Sequence, residues 1–420
     1  MGAAQVIATL FGVVYSILAA RGLGPAPRGQ LFVIQAYATV AALLVGLSTS
    51  TIMTVQLSRE QFDFAEVHTA ALLQSLIFGV VGGGAAFWLF LWTTHMAGPS
   101  FGILAIYFLS MPALIYKANW SGMFLGIKRV GVMSIFAVLD STFTAIGAVV
   151  TLFVLHAGLN GMLLMLTLES SAIAAIGLYL AMKEGRGWWR WSIKCNIDLL
   201  QQGWKQHLAT AFSQLYSRAD AFILARFLSP VALGQYAVAR GVSERILIAF
   251  TPISQVMFPL ISSGEPSRAR SYAQNTFRQL AGLSIPLVIA VVILLPFLMP
   301  VVYGHAFDGA IILAQVLCVA FILLGISVPI NLWLVGSLLR PGLNALVSAF
   351  TFAMVAILGY SFTLRAGGTG MAVAMLVSFA ASLAFCVWIG NINGLGLYRL
   401  FPNKEEFRRI APEFRGFRIR

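Results

Sequence analysis

The chain has 420 residues, of which 59% are hydrophobic and 10% charged, with a mean hydropathy of +0.88. Soluble domains carry roughly 25% charged residues, so the polar surface is too small for a soluble enzyme, a nucleic-acid binder or a disordered chain. A polytopic membrane protein remains, and at about 20 residues per spanning helix the length holds about a dozen helices.

Apolar runs of spanning length fall near 2–20, 31–55, 69–94, 101–126, 131–155 and 159–182, then 205–228, 231–261, 273–302, 309–338, 343–363 and 369–390. They are too long, and alternate too little, to be β-barrel strands. The first run, Met1 to Ala20, has no basic n-region and reads as a retained span rather than a signal peptide. Its abrupt opening leaves room for a start upstream of Met1. The pattern predicts an all-α integral membrane fold of twelve transmembrane helices. A six-helix lobe over 1–182 is followed by a basic and aromatic cytoplasmic linker at 183–204. A second six-helix lobe over 205–390 and a basic tail at 391–420 complete the chain.

The net charge of +13 reads as the positive-inside bias of a membrane protein, not as a nucleic-acid footprint. The connections after even-numbered runs carry Arg59, then Lys128 and Arg129, then Lys183, Arg186, Arg190, Lys194 and Lys205, with more in the later loops and the tail. The opposite side carries Arg21, Arg28 and Arg365. Both termini are therefore expected in the cytoplasm. The segment GRGWWRWSIKCNIDLLQQGWK and the tail from 392 mix aromatic with basic residues, as helices lying on an anionic leaflet do. Cys195, Cys318 and Cys386 and five dispersed histidines show no metal-ligand spacing, so neither metal nor cofactor is expected. No Walker A, kinase or hydrolase signature occurs.

The chain repeats itself. ARGLGPAPRGQ at 20–30 and ARFLSPVALGQ at 225–235 agree at six of eleven positions, and AGLNGM at 157–162 matches AGGTGM at 366–371. The offsets, 205 and 209, nearly agree. Six helices per half make the copies parallel, which predicts two lobes related by a pseudo-two-fold axis along the membrane normal. A substrate cavity is then expected between them at the midplane.

Several charges fall inside the runs. Lys117, Asp140 and Glu169 lie in runs four, five and six, Arg218, Asp220 and Arg226 in run seven, and Arg240, Glu244 and Arg245 in run eight. A charge at the bilayer centre costs roughly 2.5–3.5 kcal/mol on insertion scales, so these groups are expected to face a wet cavity or one another. Lys117 and Arg218 have no local partner in sequence. Arg240 and Glu244, four apart, are expected to form an internal salt bridge. Guanidinium and ammonium groups at low dielectric suit an anion, above all a diphosphate. Lys117, Arg218, Arg240 and Arg245 are therefore the candidate substrate contacts. Asp140, Glu169, Asp220 and Glu244 are candidates for ion coupling or for supporting those contacts.

Five stretches carry a family resemblance. RGLGPAPRGQLFVIQAYATVAALLVGLS looks like the first helix turn of bacterial Wzx-type polysaccharide and O-antigen flippases. These form the polysaccharide branch of the multidrug/oligosaccharidyl-lipid/polysaccharide superfamily. NWSGMFLGIKR at 119–129, LYSRADAFILARFLSPVALGQYAVA at 215–239, TPISQVMFPLIS at 251–262 and VYGHAF at 302–307 resemble later parts of the family in order. Asp220 sits where that family has an acidic residue. The resemblance implies a non-enzymatic flippase. It would move a polyprenyl-diphosphate-linked oligosaccharide from the cytoplasmic to the outer leaflet of a bacterial inner membrane by alternating access. The implied partners are that lipid, membrane lipids, and the polymerase and chain-length proteins of a polysaccharide pathway. A multidrug antiporter of the same superfamily is the alternative. A membrane glycosyltransferase or polymerase ranks third, because the longest external connection, 21–30, has no carboxylate.

Overall fold

The computed structural model describes residues 2–94, 98–184, 189–250, 257, 261 and 265–397. His95, Trp188, most of TPISQVMFPLIS and the tail from 398 lie outside the described residues. All regular elements among the described residues are helical. The chain divides into two compact units, 1–234 and 235–420.

The first unit holds α1 (Gly2–Leu23), α2 (Pro25–Gly46), α3 (Thr49–Ser58), α4 (Phe64–Thr93), α5 (Phe101–Leu109) and α6 (Met111–Gly126). It continues with α7 (Val130–Val149), extended by a π turn at Val150–Val154, then α8 (Gly158–Glu184) and α9 (Ile193–Phe227). Helix α10 (Pro230–Glu244) crosses into the second unit. That unit continues with α11 (Pro266–Tyr303), α12 (Ala310–Ile326), α13 (Val328–Gly336) and α14 (Pro341–Ile392). Wherever the structure describes them, the apolar runs coincide with a helix or a broken helix pair; the eighth run is described as helical to Phe250. Among the described residues, nine helical stretches are long and apolar enough to cross a membrane. The longest, α14, leaves helical geometry at Ala366 and Gly367 and so contains two spans.

Lipid-facing and protein-facing surfaces separate cleanly. In α11, Ile285, Ile289, Phe297 and Val301 are exposed, while Phe277, Leu280 and Met299 are buried. An apolar face of that kind is suited to contact with lipid or with another protein surface. In the first unit, Met53, Val67, Trp120, Met123, Phe124, Phe136 and Ile173 form the core under α3, α4, α6, α7 and α8. A second core joins Phe277, Ile322, Ile330, Trp333 and Cys386 in the second unit.

Three spans are broken in ways that the apolar runs concealed. The second span starts at Pro25, six residues earlier than its run, because proline is pre-organised for the first helical turn. It then breaks at Leu47 and Ser48, both left-handed with φ 46° and 53°. Its second piece, α3, is held to α6 by Ser50 donating to the Ala118 carbonyl and Thr54 to that of Gly122, both at 2.9 Å. The fourth span breaks at Ser110, between α5 and α6, and the tenth at Ser327, between α12 and α13. Each break reads Ser-x-Pro, and each serine hydroxyl donates to the carbonyl three residues back, at 2.7 Å.

The repeated motifs share local geometry. Pro25 and Pro230 each open a helix. Gly158 and Gly367, aligned in the second motif, have φ of 57° and 56°, a left-handed turn that glycine adopts without penalty. A Cβ on Gly29 would lie 2.5 Å from the Gly234 nitrogen, and one on Gly234 would lie 1.9 Å from the Pro25 carbonyl oxygen.

The linker is not a free surface helix. Cys195 and Leu199, at the start of α9, are fully buried in the first unit's core. The Gln56 amide donates to Asp198 at 2.6 Å, Arg190 pairs with Asp63, and its backbone N–H donates to Thr69 at 3.1 Å. The apolar residues Trp189, Trp191, Ile193 and Ile197 remain exposed. The segment is thus clamped on one face, while its other face keeps the interfacial character expected from composition. Helix α9 packs on α2 within the first unit, with the Phe222 ring 4.5 Å from that of Tyr37.

Two predictions follow from this packing. Gly29→Ala and Gly234→Ala each overpack a backbone contact and should lower stability by about 1–3 kcal/mol, read as a drop in Tm in detergent; unchanged melting would contradict the close approach. The three cysteines are free and buried. Burial, with Glu66 and Asp198 nearby, pushes the Cys195 thiol up to about 12, so at pH 7.5 it is a protonated and poor nucleophile. A maleimide should leave Cys195 unmodified in the folded protein and label it after denaturation, as mapped by peptide mass spectrometry.

Candidate functional site

Helices α6, α7 and α8 bring three charges together within the first unit. The Lys117 ammonium donates to Glu169 Oε1 at 3.0 Å and, in a shorter contact, to Asp140 Oδ1. These partners lie 52 and 23 residues away in sequence, which is why Lys117 shows none locally. At an effective dielectric of about 20, unit charges about 4 Å apart interact by roughly 4 kcal/mol. Removing each ion from water costs several kcal/mol. One cation alone in this setting would be untenable, and two carboxylates alone would repel. The triad satisfies all three groups, with one more carboxylate than cations.

Glu169 also faces a cavity of ≈ 310 Å³ in the same unit. Helix α2 contributes Phe32, Gln35 and Thr39 to its wall, successive positions on one helical face. Tyr107 comes from α5, Ser110 from the break in the fourth span, and Met111 from the start of α6. Ser170 stands beside Glu169 on α8, and Arg218 enters from α9. Gln35 is oriented by donating to the Tyr15 hydroxyl at 3.3 Å. Among the lining residues, Glu169 and Arg218 carry charge and the other polar groups are neutral.

The remaining sequence candidates are dispersed. Asp220 is fully buried and accepts the Ala221 N–H at 2.9 Å, away from the cavity lining. In the second unit Arg240 is 1% exposed, stacks its guanidinium 4.7 Å from the Phe321 ring centre, and lies 3.7 Å from Glu244. The expected internal pair is present, and Arg240 is packed into the core. Arg245 opens the 3-10 turn Arg245–Phe250 and is half-buried. Sequence reasoning missed Gln35, Thr39, Tyr107, Ser110 and Ser170, neutral residues that no charge or motif singles out. The period-four spacing of Gln35 and Thr39 on α2 was the available signal. Among the described residues no group of three or more His, Cys, Asp or Glu side chains is arranged to hold a metal ion.

The model of a family described as "Polysaccharide biosynthesis protein" matches residues 1–265. The chain belongs to that family. No curated relative matches. Among solved structures, an inward-facing multidrug-resistance MATE transporter of the MOP superfamily is similar with a TM-score of 0.74 and 15% identity, covering 92% of this chain and 94% of that one. The lipid II flippase MurJ in an inward closed conformation is similar with a TM-score of 0.77 and 13% identity, covering 98% and 89%. A MOP-superfamily transporter from Pyrococcus furiosus gives 0.64 and 13%, covering 93% and 92%. At these identities the likeness shows the fold: this polysaccharide-biosynthesis family member is a multi-pass membrane protein whose architecture is like that of the MOP-superfamily transporters.

The triad is testable by stability. Lys117→Met leaves Asp140 and Glu169 facing each other and should lower stability, by up to about 3–5 kcal/mol for a fully buried group and by less here, because Asp140 is about one-third exposed. Adding Glu169→Gln should recover part of the lost Tm. An unchanged Tm in Lys117→Met would contradict the pairing.

Proposed function

We propose that the chain is a flippase that moves a polyprenyl-diphosphate-linked oligosaccharide from the cytoplasmic to the outer leaflet of a bacterial inner membrane. The observation that carries this reading is a polar, partly charged cavity within a spanning helix bundle, in a member of a polysaccharide-biosynthesis family. The glycan is what must be shielded from the hydrocarbon, because its hydroxyls lose their hydrogen bonds there. The polyprenyl tail stays in the bilayer while the head group crosses between two six-helix lobes, 1–182 and 205–390, by alternating access. Both termini face the cytoplasm, following the basic loops. Polymerase and chain-length proteins of the same pathway are the partners this role requires.

Arg218, on the wall of the first unit's cavity, is the proposed contact for the diphosphate. Lys117 is engaged by two carboxylates and Arg240 by Phe321 and Glu244, so in this conformation their role is to hold helices in place. The Asp140–Lys117–Glu169 triad is the proposed coupling element: its surplus carboxylate takes up a proton or cation without leaving a net buried charge. Glu169 facing the cavity also supports a second reading, a cation or drug antiporter, since a carboxylate in a cavity favours a cationic ligand.

Reconstitution separates the two. In proteoliposomes holding a fluorescent polyprenyl-diphosphate oligosaccharide, a side-restricted reagent reports its leaflet. The wild type should move it, Arg218→Ala should slow movement at least tenfold, and the Glu169→Gln variant should lose dependence on an ion gradient. Failure to move the lipid, together with gradient-driven export of a cationic dye, would favour the antiporter.

A further inference from the structure

We infer that the second span is a two-state hinge, held broken at Leu47–Ser48 by a hydrogen-bonded clasp from α6. Releasing the clasp joins α2 and α3 into one continuous helix and carries the α2 wall of the cavity with it. Thr49 and Asn119 are the positioning residues of the clasp. The inference goes beyond the proposed function, since it holds whichever ligand the cavity takes.

The break is costly on its own. Leu47 and Ser48 both have left-handed φ, 46° and 53°, in the middle of a membrane span. A residue with a Cβ disfavours that region by about five- to thirtyfold. Neither residue is a glycine, asparagine or aspartate, the types that visit it routinely. In hydrocarbon a continuous helix is the default, because it satisfies every backbone group internally. A strained break of this kind persists only where its surroundings over-determine it, and such breaks concentrate at switching segments.

The surroundings here supply that constraint. The Gly46 carbonyl is one of the orphaned acceptors that a helix end leaves. The Thr49 hydroxyl donates to it at 3.0 Å and, as a shared donation, to Asn119 Oδ1 at 3.0 Å. The Asn119 amide in turn donates to the Ser75 hydroxyl on α4 at 3.0 Å. Thr49, Asn119 and Ser75 are all buried, so water does not stand in for a lost partner. Ser50 and Thr54 extend the clasp onto the Ala118 and Gly122 carbonyls. From the other side α9 fits against the break. A Cβ on Gly203 would lie 2.7 Å from the Leu47 carbonyl oxygen, and the Ser48 hydroxyl lies 3.4 Å from His207 Nδ1.

The hinge stands between the cavity and the triad. Thr39, on the cavity wall, precedes Leu47 by eight residues, about 12 Å along a helix. Asn119 follows Lys117 by two residues on α6, with Ala118 between them. One turn of α6 therefore carries both the triad's ammonium and the clasp, and an event that shifts this turn loosens the hinge. Two residues that change φ and ψ are enough to swing a stiff helix. Straightening moves Phe32, Gln35 and Thr39 against the walls from α6 and α8.

Pulsed electron paramagnetic resonance on the full-length protein in nanodiscs reads the hinge. Spin labels go on Leu44→Cys and Ser58→Cys, exposed positions on either side of the break, and the three native cysteines are buried. In a continuous helix the two sites lie about 21 Å apart, and a bend brings them closer. The wild type should give the shorter distance. Thr49→Val keeps the side-chain volume and removes the hydroxyl. It should raise the population at the longer distance about tenfold, as one or two net hydrogen bonds allow, and Asn119→Ala should do the same. Thr49→Ser, which keeps the hydroxyl, should behave as the wild type. Adding Leu47→Gly to Thr49→Val should suppress the longer distance about tenfold, because glycine accepts positive φ and weakens a continuous helix. Adding Leu47→Ala, with nearly the same loss of packing, should not. Asn119→Ala carries the same comparison if Thr49→Val does not fold. Unchanged distances in folded Thr49→Val and Asn119→Ala would overturn the hinge, as would a wild type already at the longer distance. So would Leu47→Gly and Leu47→Ala acting alike, which would make packing rather than backbone conformation responsible. A hinge that moves as stated, in a protein that moves no lipid in proteoliposomes, would sink the flippase reading and leave this one standing.

Discussion

One ammonium held between two carboxylates inside an apolar bundle constrains the first unit. Lys117, Asp140 and Glu169 come from three consecutive spans. None of the three charges is tolerable there without the others. Their pairing ties α6, α7 and α8 together at the depth where the cavity opens, and it sets the cavity's electrostatics. With the ammonium compensated, the cavity wall presents one carboxylate, Glu169, and one guanidinium, Arg218, among neutral polar groups. Any change in the number of protons or cations bound at the triad acts on helix packing and ligand recognition together.

The duplicated motifs provide a scaffold on which only one half carries this chemistry. Proline opens α2 and α10, a left-handed glycine precedes or divides the last two spans of each half, and Ser-x-Pro breaks the fourth span of each. Lys117 stands five residues after Pro112; five residues after Pro329 stands the buried Leu334. The Ser-x-Pro break in the first unit also lines the cavity through Ser110 and Met111. A break that costs a helical hydrogen bond thus sits where a wall residue is needed, between the cavity and the triad.

Much of the fold was legible because lipid imposes a simple rule: spanning segments must be helical and apolar for about 20 residues. The runs coincide with helices wherever the structure describes them, and the charge inventory identified each member of the triad. The pairing itself was not legible, since Lys117 and Glu169 are 52 residues apart and helix order alone does not say which faces meet. The Leu47–Ser48 break escaped because its residues are as helix-compatible as their neighbours; tertiary contacts of α3 with α6 override local preference there. The linker's composition suggested a surface helix, yet small and polar residues such as Cys195, Asn196 and Asp198 gave it a second face that docks. Arg240, a candidate contact by charge, is buried with its guanidinium over the Phe321 ring, a placement that sequence spacing does not reveal.

The most direct measurement of the central claim is a structure of the protein with its lipid-linked oligosaccharide bound, in a nanodisc. The account predicts the head group of the lipid in the first-unit cavity beside Arg218, with Lys117 still bridging Asp140 and Glu169. A first-unit cavity that stays empty while the glycan binds elsewhere, or a Lys117 that leaves both carboxylates to meet the diphosphate, would contradict it.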